Sequence, residues 1–516
     1  MRILPVDRKE SQTPESGLGK RAVAAAQWRI ASMAFQIVLA FPAGILLARL
    51  LLPADFGLAG LCVIVVGFIT LASDLGVGSA IIQRRELTER HLRASLTGTF
   101  LLGVSIAGLL ALAAPLIGQF VRNSELVSLL RLQSLIFVTT GCDTVARSIL
   151  QRRLDFRRLY IIDITSYALG GLLVSIGCAL AGLGVWSLVI GTLSQAAVSC
   201  AMSMTAAKVP LRPLLARREL GELLAFGVGV SANNLVNYVG RNGDNFFIGR
   251  LLGPTILGYY SRAFNLMMMP LNYVTGAFSA ILVPTFAEIQ HQRERIGSGF
   301  LMTVQLAAII VLPVATGMIV AAPHLILGLY GDRWAGAIRP LQVLCVAALP
   351  KAVMSLAGPV NRACNRVVTE LWFQCAFAVA VVGATILGSR QGIVAVATLV
   401  SLATALMSVA MATLALSLTG STWRAFIVAQ IPGALVGLLS TAIAVALRFT
   451  LERAEWSHLS ILFVLVLAGA ISIPLGIYLL PARVRPAELF SLLTPPFRRL
   501  PAPLRKGAMF VLRTTL

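Results

Sequence analysis

The sequence predicts an all-α integral membrane protein of about 14 transmembrane helices. It reads as two parallel six-helix lobes around a central cleft, plus two C-terminal helices. Three observations carry that fold class. Of 516 residues, 57% are hydrophobic and only 12% charged, where a soluble domain carries about 25% charged residues. Apolar stretches long enough to cross a bilayer core, about 20 residues each, recur along the whole chain. Basic residues collect in every second connection between those stretches. A mean hydropathy of +0.85 leaves no room for a large water-soluble domain.

In chain order, residues 1–22 form a polar, basic N-terminal segment expected in the cytoplasm. The apolar run that follows is too long for a signal-peptide core, so it is expected to stay in the membrane as the first span. The spans are expected at about 23–48, 57–82, 94–118, 126–146, 159–181 and 184–207, which make up an N-terminal lobe over 23–207. A cytoplasmic linker over 208–219 precedes a second lobe over 220–416, with spans at about 220–248, 256–287, 300–322, 336–360, 369–388 and 392–416. Two additional helices at about 425–447 and 458–480 occupy residues 425–480, and a basic tail over 481–516 is expected in the cytoplasm.

Charge tests this count. The net charge of +22 comes from 43 Lys and Arg against 21 Asp and Glu. In a soluble chain such a balance points to nucleic acid. Here no segment is long and polar enough to fold as a nucleic-acid module, and positive charge marks cytoplasmic loops. With the N-terminus in the cytoplasm, only Arg49, Arg122, Arg250, Arg333, Arg390, Arg448 and Arg453 fall in outer connections. Six more lie inside spans: Arg29, Arg131, Arg241, Arg262, Arg339 and Lys351. All the others fall on the inner side, which predicts both termini cytoplasmic in a bacterial inner membrane. The seven cysteines form no C-x-x-C pair, so neither a zinc site nor a disulfide framework is expected.

The chain also repeats itself. Leu47-Ala-Arg-Leu-Leu-Leu-Pro-Ala-Asp-Phe-Gly57 matches Ile248-Gly-Arg-Leu-Leu-Gly-Pro-Thr-Ile-Leu-Gly258 at a constant offset. Arg49, Leu50, Leu51, Pro53 and Gly57 correspond to Arg250, Leu251, Leu252, Pro254 and Gly258. The same offset carries spans one to six onto spans seven to twelve. Six spans per repeat is an even number, so both halves start from the same side and the duplication is parallel. Two such bundles facing each other enclose a cleft that rocking opens alternately to either side.

Polar residues inside spans are costly and face water, a cavity or one another. In span seven, Asn233, Asn237, Arg241 and Asp244 share one helical face, which Asn234 and Tyr238 widen. In span eight, Arg262, Asn265 and Asn272 do the same. In span one, Arg29, Ser32 and Gln36 do so, and Ser32 and Gln36 are the repeat equivalents of Asn233 and Asn237. Two readings stand: these stripes line the cleft, or they bond helix to helix at about 0.6 kcal/mol per contact. Lys351 follows Pro350 deep in span ten, where a charge costs about 3 kcal/mol. Arg29, Arg131, Arg241, Arg262 and Arg339 lie within a turn or two of a membrane face, so each either contacts substrate or snorkels. Asp143 and Asp163 lie where they can pair with the basic Arg147–Arg158 loop. A cleft lined by arginines and amides suits an anionic, sugar-bearing ligand.

The chemistry that is missing narrows the classes. Gly17-Leu-Gly-Lys20 lacks the spacing of a phosphate-binding loop. There is no H-E-x-x-H and no D-x-D-like acidic pair in a loop. The four histidines, His91, His291, His324 and His458, are scattered in or near connections. No enzyme activity, cofactor or metal is expected.

Three segments resemble a known family. They are Asp244-Asn-Phe-Phe-Ile-Gly-Arg-Leu-Leu-Gly-Pro-Thr-Ile-Leu-Gly-Tyr-Tyr-Ser-Arg-Ala263, the Leu47–Gly57 motif followed by Asp74-Leu-Gly-Val-Gly-Ser-Ala80, and the loop Leu150-Gln-Arg-Arg-Leu-Asp-Phe-Arg-Arg158. Together they are similar to the polysaccharide-transporter branch of the multidrug/oligosaccharidyl-lipid/polysaccharide exporter superfamily, over about residues 20–480. The resemblance implies a V-shaped pair of six-helix lobes that flips an undecaprenyl-diphosphate-linked oligosaccharide by alternating access. Exopolysaccharide, capsule or O-antigen synthesis is the implied purpose. It implies cationic cleft residues on the first and eighth helices, where Arg29 and Arg262 stand. It also implies ion or potential coupling, for which Asp74 and Asp244 are the candidates. The expected partners are the lipid-linked oligosaccharide, membrane lipids, and a polysaccharide polymerase and export machinery, with no nucleic acid. The alternatives are a drug or cation antiporter of the same superfamily, a membrane enzyme of polysaccharide assembly, and a non-catalytic membrane subunit of a synthesis complex.

Overall fold

A computed structural model describes residues 39–73, 76–84, 87–209, 213–214 and 228–480. The described chain is helical almost throughout, and all fourteen expected stretches contain helix. The helices are α1 (Leu39–Leu50), α2 (Pro53–Ser73), α3 (Val77–Gln83), α4 (Glu89–Val121), α5 (Glu125–Gln133), α6 (Ile136–Arg152), α7 (Phe156–Thr165), α8 (Val174–Leu180), α9 (Trp186–Ala207), α10 (Val228–Leu252) and α11 (Pro254–Glu288). Then come α12 (Arg293–Tyr330), α13 (Ile338–Val346), α14 (Ala348–Ala363), α15 (Val367–Ser389), α16 (Ile393–Thr419), α17 (Trp423–Arg453) and α18 (His458–Leu479). Among the described residues 11 helical segments are long and apolar enough to cross a membrane, or 12 when Asp332–Val346 and Ala348–Ala363, bent by 48°, count as one. The protein is therefore a multi-pass membrane protein. The two stretches outside that count are α1, whose described part is short, and α10, which carries the polar stripe.

Several expected spans are broken, for local reasons. The second is broken at Gly76, whose φ of 67° is left-handed and open to glycine without strain, and Val77–Gln83 follows as a separate helix. The fourth is two helices, α5 and α6, interrupted at Ser134 and Leu135. The fifth contains a π-helical segment, Ser166–Leu173, between α7 and α8. There Gly170 lies so close to α9 that a Cβ would come within 2.7 Å of the Ser194 carbonyl oxygen. Small residues of this kind let membrane helices approach without a hydrophobic driving force.

The chain divides into two compact units, Met1–Gly258 and Tyr259–Leu516. The division lies beyond the 208–219 linker because α10 packs along α2 within the first unit: Tyr238 donates from its hydroxyl to the Ile64 carbonyl at 3.0 Å. The first unit has a core of Ile81, Leu92, Val145, Ile149, Leu150, Leu159 and Ile162, where α3, α4, α6 and α7 meet. The second unit is built on α12, a 38-residue helix with Pro313 and Pro323 inside it. Phe300 and Val304 on α12 meet Leu356 and Val360 on α14, Met411 on α16 and Phe426 on α17. At Gly433 on α17 a Cβ would lie 2.4 Å from the Ala308 carbonyl carbon of α12, so these two helices touch backbone to backbone.

The repeated motif closes on itself within the first unit. A Cβ on Gly57 would lie 1.9 Å from the Pro254 carbonyl oxygen, and one on Gly258 would lie 1.9 Å from the Pro53 carbonyl oxygen. Each glycine therefore meets the proline of the other copy, the first residue of the helix there. Reciprocal contacts of this form define a local two-fold axis, as in an isologous dimer interface.

Candidate functional site

The polar stripe of span seven rides on α10, which is continuous from Val228 to Leu252. Spacing on an unbroken helix keeps Asn233, Asn237, Arg241 and Asp244 on one face of the backbone. The side chains of Asn233, Asn234 and Asn237 lie outside the described residues, as do Arg29, Ser32, Gln36 and Asp74 altogether. Arg241 is exposed. Asp244 is buried at 3% exposure, and its Oδ1 accepts from the Asn245 backbone N–H at 2.8 Å and from Asn245 Nδ2 at 3.0 Å. Tyr238, expected to widen the stripe, reaches α2 with its hydroxyl, which also lies 3.3 Å from the Val63 carbonyl oxygen. Gly67 makes room for it, since a Cβ there would lie 2.2 Å from the Tyr238 hydroxyl.

In the second unit, Arg262 is half-buried on α11. Its guanidinium lies 5.0 Å from the Tyr330 ring centre and 5.6 Å from that of Trp334, within cation–π range. Asn265 and Asn272, one and three turns on, are exposed. Lys351 on α14 is half-buried, with its Nζ 5.2 Å from the Phe264 ring centre and 5.9 Å from that of Phe377. Each of these cations therefore lies beside two aromatic rings, an arrangement that stabilises positive charge.

Two polar networks were not legible as such in the sequence. In the first unit, the Asp143 carboxylate accepts from Ser199 Oγ at 2.9 Å and from Ser203 Oγ, the two serines standing one turn apart on α9. Beside it Arg147 pairs with Asp163 at 2.7 Å, which is the pairing that the basic loop suggested. In the second unit, His324 is buried inside α12 at 2% exposure and not in or near a connection as expected. Its Nδ1 lies 3.0 Å from His458 Nδ1, and its Nε2 lies 3.0 Å from Glu452 Oε1. Arg448 holds that carboxylate at 2.9 Å and donates to the Val320 carbonyl at 3.1 Å. The signal for both was spacing between distant segments, which a single sequence does not display. Among the described residues no group of three or more His, Cys, Asp or Glu is placed to hold a metal ion.

An all-helical, multi-pass chain whose repeated motifs pack reciprocally has the construction of a duplicated membrane transporter. Comparison with known proteins makes that specific. Residues 46–339 match the family described as "Polysaccharide biosynthesis protein", and the chain belongs to that family. It is 26% identical over 356 residues to the lipopolysaccharide biosynthesis protein WzxC of Escherichia coli (strain K12), covering 68% of this chain and 71% of that one. It is also 26% identical over 369 residues to the succinoglycan biosynthesis transport protein ExoT of Rhizobium meliloti (strain 1021), covering 71% and 74%. Among solved structures it is similar in fold to lipid II flippase MurJ in an inward closed conformation. That match has a TM-score of 0.67 and 12% identity, over 86% of this chain and 98% of that one. A second likeness is to an outward-facing multidrug resistance MATE family transporter of the MOP superfamily, with a TM-score of 0.52 and 18% identity, over 78% and 97%.

Proposed function

We propose that this protein flips a lipid-linked oligosaccharide, carried on undecaprenyl diphosphate, across the bacterial inner membrane for exopolysaccharide, capsule or O-antigen synthesis. The observation that carries the reading is membership of a polysaccharide-biosynthesis family by a chain that has the fold of a lipid flippase. Fourteen crossings, with both termini cytoplasmic, complete the topology. Two six-helix lobes, 23–207 and 220–416, exchange inward and outward access to the cleft between them. The diphosphate is a dianion that arginine matches in a fork geometry, and Arg29 and Arg262 are the residues assigned to it. Ser32, Gln36, Asn233, Asn234, Asn237, Arg241, Asn265 and Lys351 face the glycan and its carrier, and Asp74 and Asp244 are the acids assigned to ion coupling. A polysaccharide polymerase and export machinery receive the product.

Arg262→Ala tests the assignment. Polysaccharide export is expected to fall about ten-fold, as for a lost charge-assisted hydrogen bond, with membrane abundance unchanged. Unchanged export removes Arg262 from the set. Restored drug resistance in a sensitised strain, without any effect on polysaccharide, would replace the reading with that of a drug antiporter.

A further inference from the structure

In the second unit three aromatic residues gather beside Arg262. Tyr330 ends α12, and Trp334 sits in the 3-10 turn Asp332–Ala337. Gly331 between them has a φ of 89°, a left-handed backbone that lets the chain reverse. The Trp334 N–H then donates to the Gly331 carbonyl at 3.1 Å. The reversal brings the Tyr330 and Trp334 rings to 5.8 Å. Tyr259, one turn before Arg262 on α11, adds a third ring, edge to face with Trp334 at 6.3 Å. Its hydroxyl donates to the Arg333 carbonyl at 3.2 Å. Gly336 admits that ring, because a Cβ would lie 2.5 Å from Tyr259 Cε2. Trp334 is fully buried and Tyr330 is buried at 5% exposure.

The three rings therefore form a rigid wall fixed by backbone hydrogen bonds, and Arg262 lies against it. An arginine side chain otherwise loses about 2 kcal/mol of rotamer entropy when it is held in one place for a ligand. A wall that has already fixed the guanidinium removes that cost before the ligand arrives. Stacking uses the face of the guanidinium and hydrogen bonding uses its edge, so the two roles are compatible.

We propose that Tyr330 and Trp334 are positioning residues for Arg262, holding its guanidinium where a polyprenyl-linked diphosphate is bound. The inference rests on the transport reading above. Tyr259 braces Trp334 from the far side and acts one step removed.

The test uses the full chain in proteoliposomes, with a fluorescent polyprenyl-diphosphate-linked sugar as substrate. Trp334→Leu is expected to raise the half-saturating substrate concentration about five-fold, the size of a cation–π contact that keeps partial access to solvent, with the maximal rate retained. Trp334→Phe, which keeps a ring face, is expected to restore most of the loss. Trp334→Leu added to Arg262→Ala is expected to change nothing further, because the wall acts only through Arg262. Effects that multiply in the double variant, or a phenylalanine no better than leucine, would overturn the inference. Should Trp334→Leu fail to reach the membrane, Tyr330→Leu against Tyr330→Phe answers the same question. A wild-type protein that does not move the probe at all would strike the transport reading itself. A moving wild type with indifferent Trp334 and Tyr330 variants would strike only the positioning role.

Discussion

At the scale of single residues, glycine does two different jobs, and the structure separates them. Gly57 and Gly258 have no space for a side chain, because each faces a proline carbonyl oxygen 1.9 Å from where its Cβ would stand. Gly60, one turn along α2, has nothing within 4 Å of the same point. Gly57→Ala is expected to destabilise the protein by about 1–3 kcal/mol, the usual cost of overpacking, and Gly60→Ala to be neutral or slightly stabilising. Thermal unfolding of the purified protein in detergent checks both, and equal melting temperatures for the two variants would refute the contact. The five identities of the repeat were legible in the sequence. That the two copies grip each other was not, because identity at a constant offset carries no information about who touches whom. The same holds for Asp143, which the sequence placed near a basic loop, while its serine partners on α9 were silent.

At the scale of elements, apolar length located the described helices, and the breaks within them came from local chemistry. The second span breaks at the left-handed Gly76, and the π segment at Ser166–Leu173 follows from two adjacent glycines pressed on α9. Hydropathy is blind to both, since neither changes the apolar content of the stretch. The α12–α17 crossing shows what such contacts are for. Gly433 lets two backbones pack so closely that a Cβ there would lie 2.4 Å from the Ala308 carbonyl carbon, and dispersion across that surface replaces the hydrophobic effect that lipid removes. Gly433→Leu is expected to lower the yield of folded protein sharply. Gly469→Ala on α18, where a Cβ meets nothing within 4 Å, is the control expected to leave it unchanged. Size-exclusion profiles of the two variants decide this, and a monodisperse Gly433→Leu protein would show that the helices can part without penalty. The His324–Glu452 and His324–His458 contacts add a polar tie between α12 and the last two helices. Histidine count alone had suggested nothing of it.

At the scale of the whole molecule, the distribution of basic residues predicts an orientation on which the fold by itself is silent. Reporter fusions after residue 214 and at the C-terminus are expected to give cytoplasmic activity, and a fusion in the connection at residues 454–457 a periplasmic one. A periplasmic signal from either of the first two sites would invert the topology and with it the direction assigned to transport. What the sequence determined by itself was the solvent: composition and apolar length demand a bilayer, because no arrangement of such a chain hides its surface from water. It also displays the internal repeat of Leu47–Gly57 in Ile248–Gly258, and its basic residues predict a sidedness that the fusions test. What only the tertiary structure decided was partnership. Arg262 stands against Tyr330 and Trp334, some seventy residues away, and Tyr238 bonds α2. A contact is a property of two surfaces at once, and a helical pattern describes only one of them.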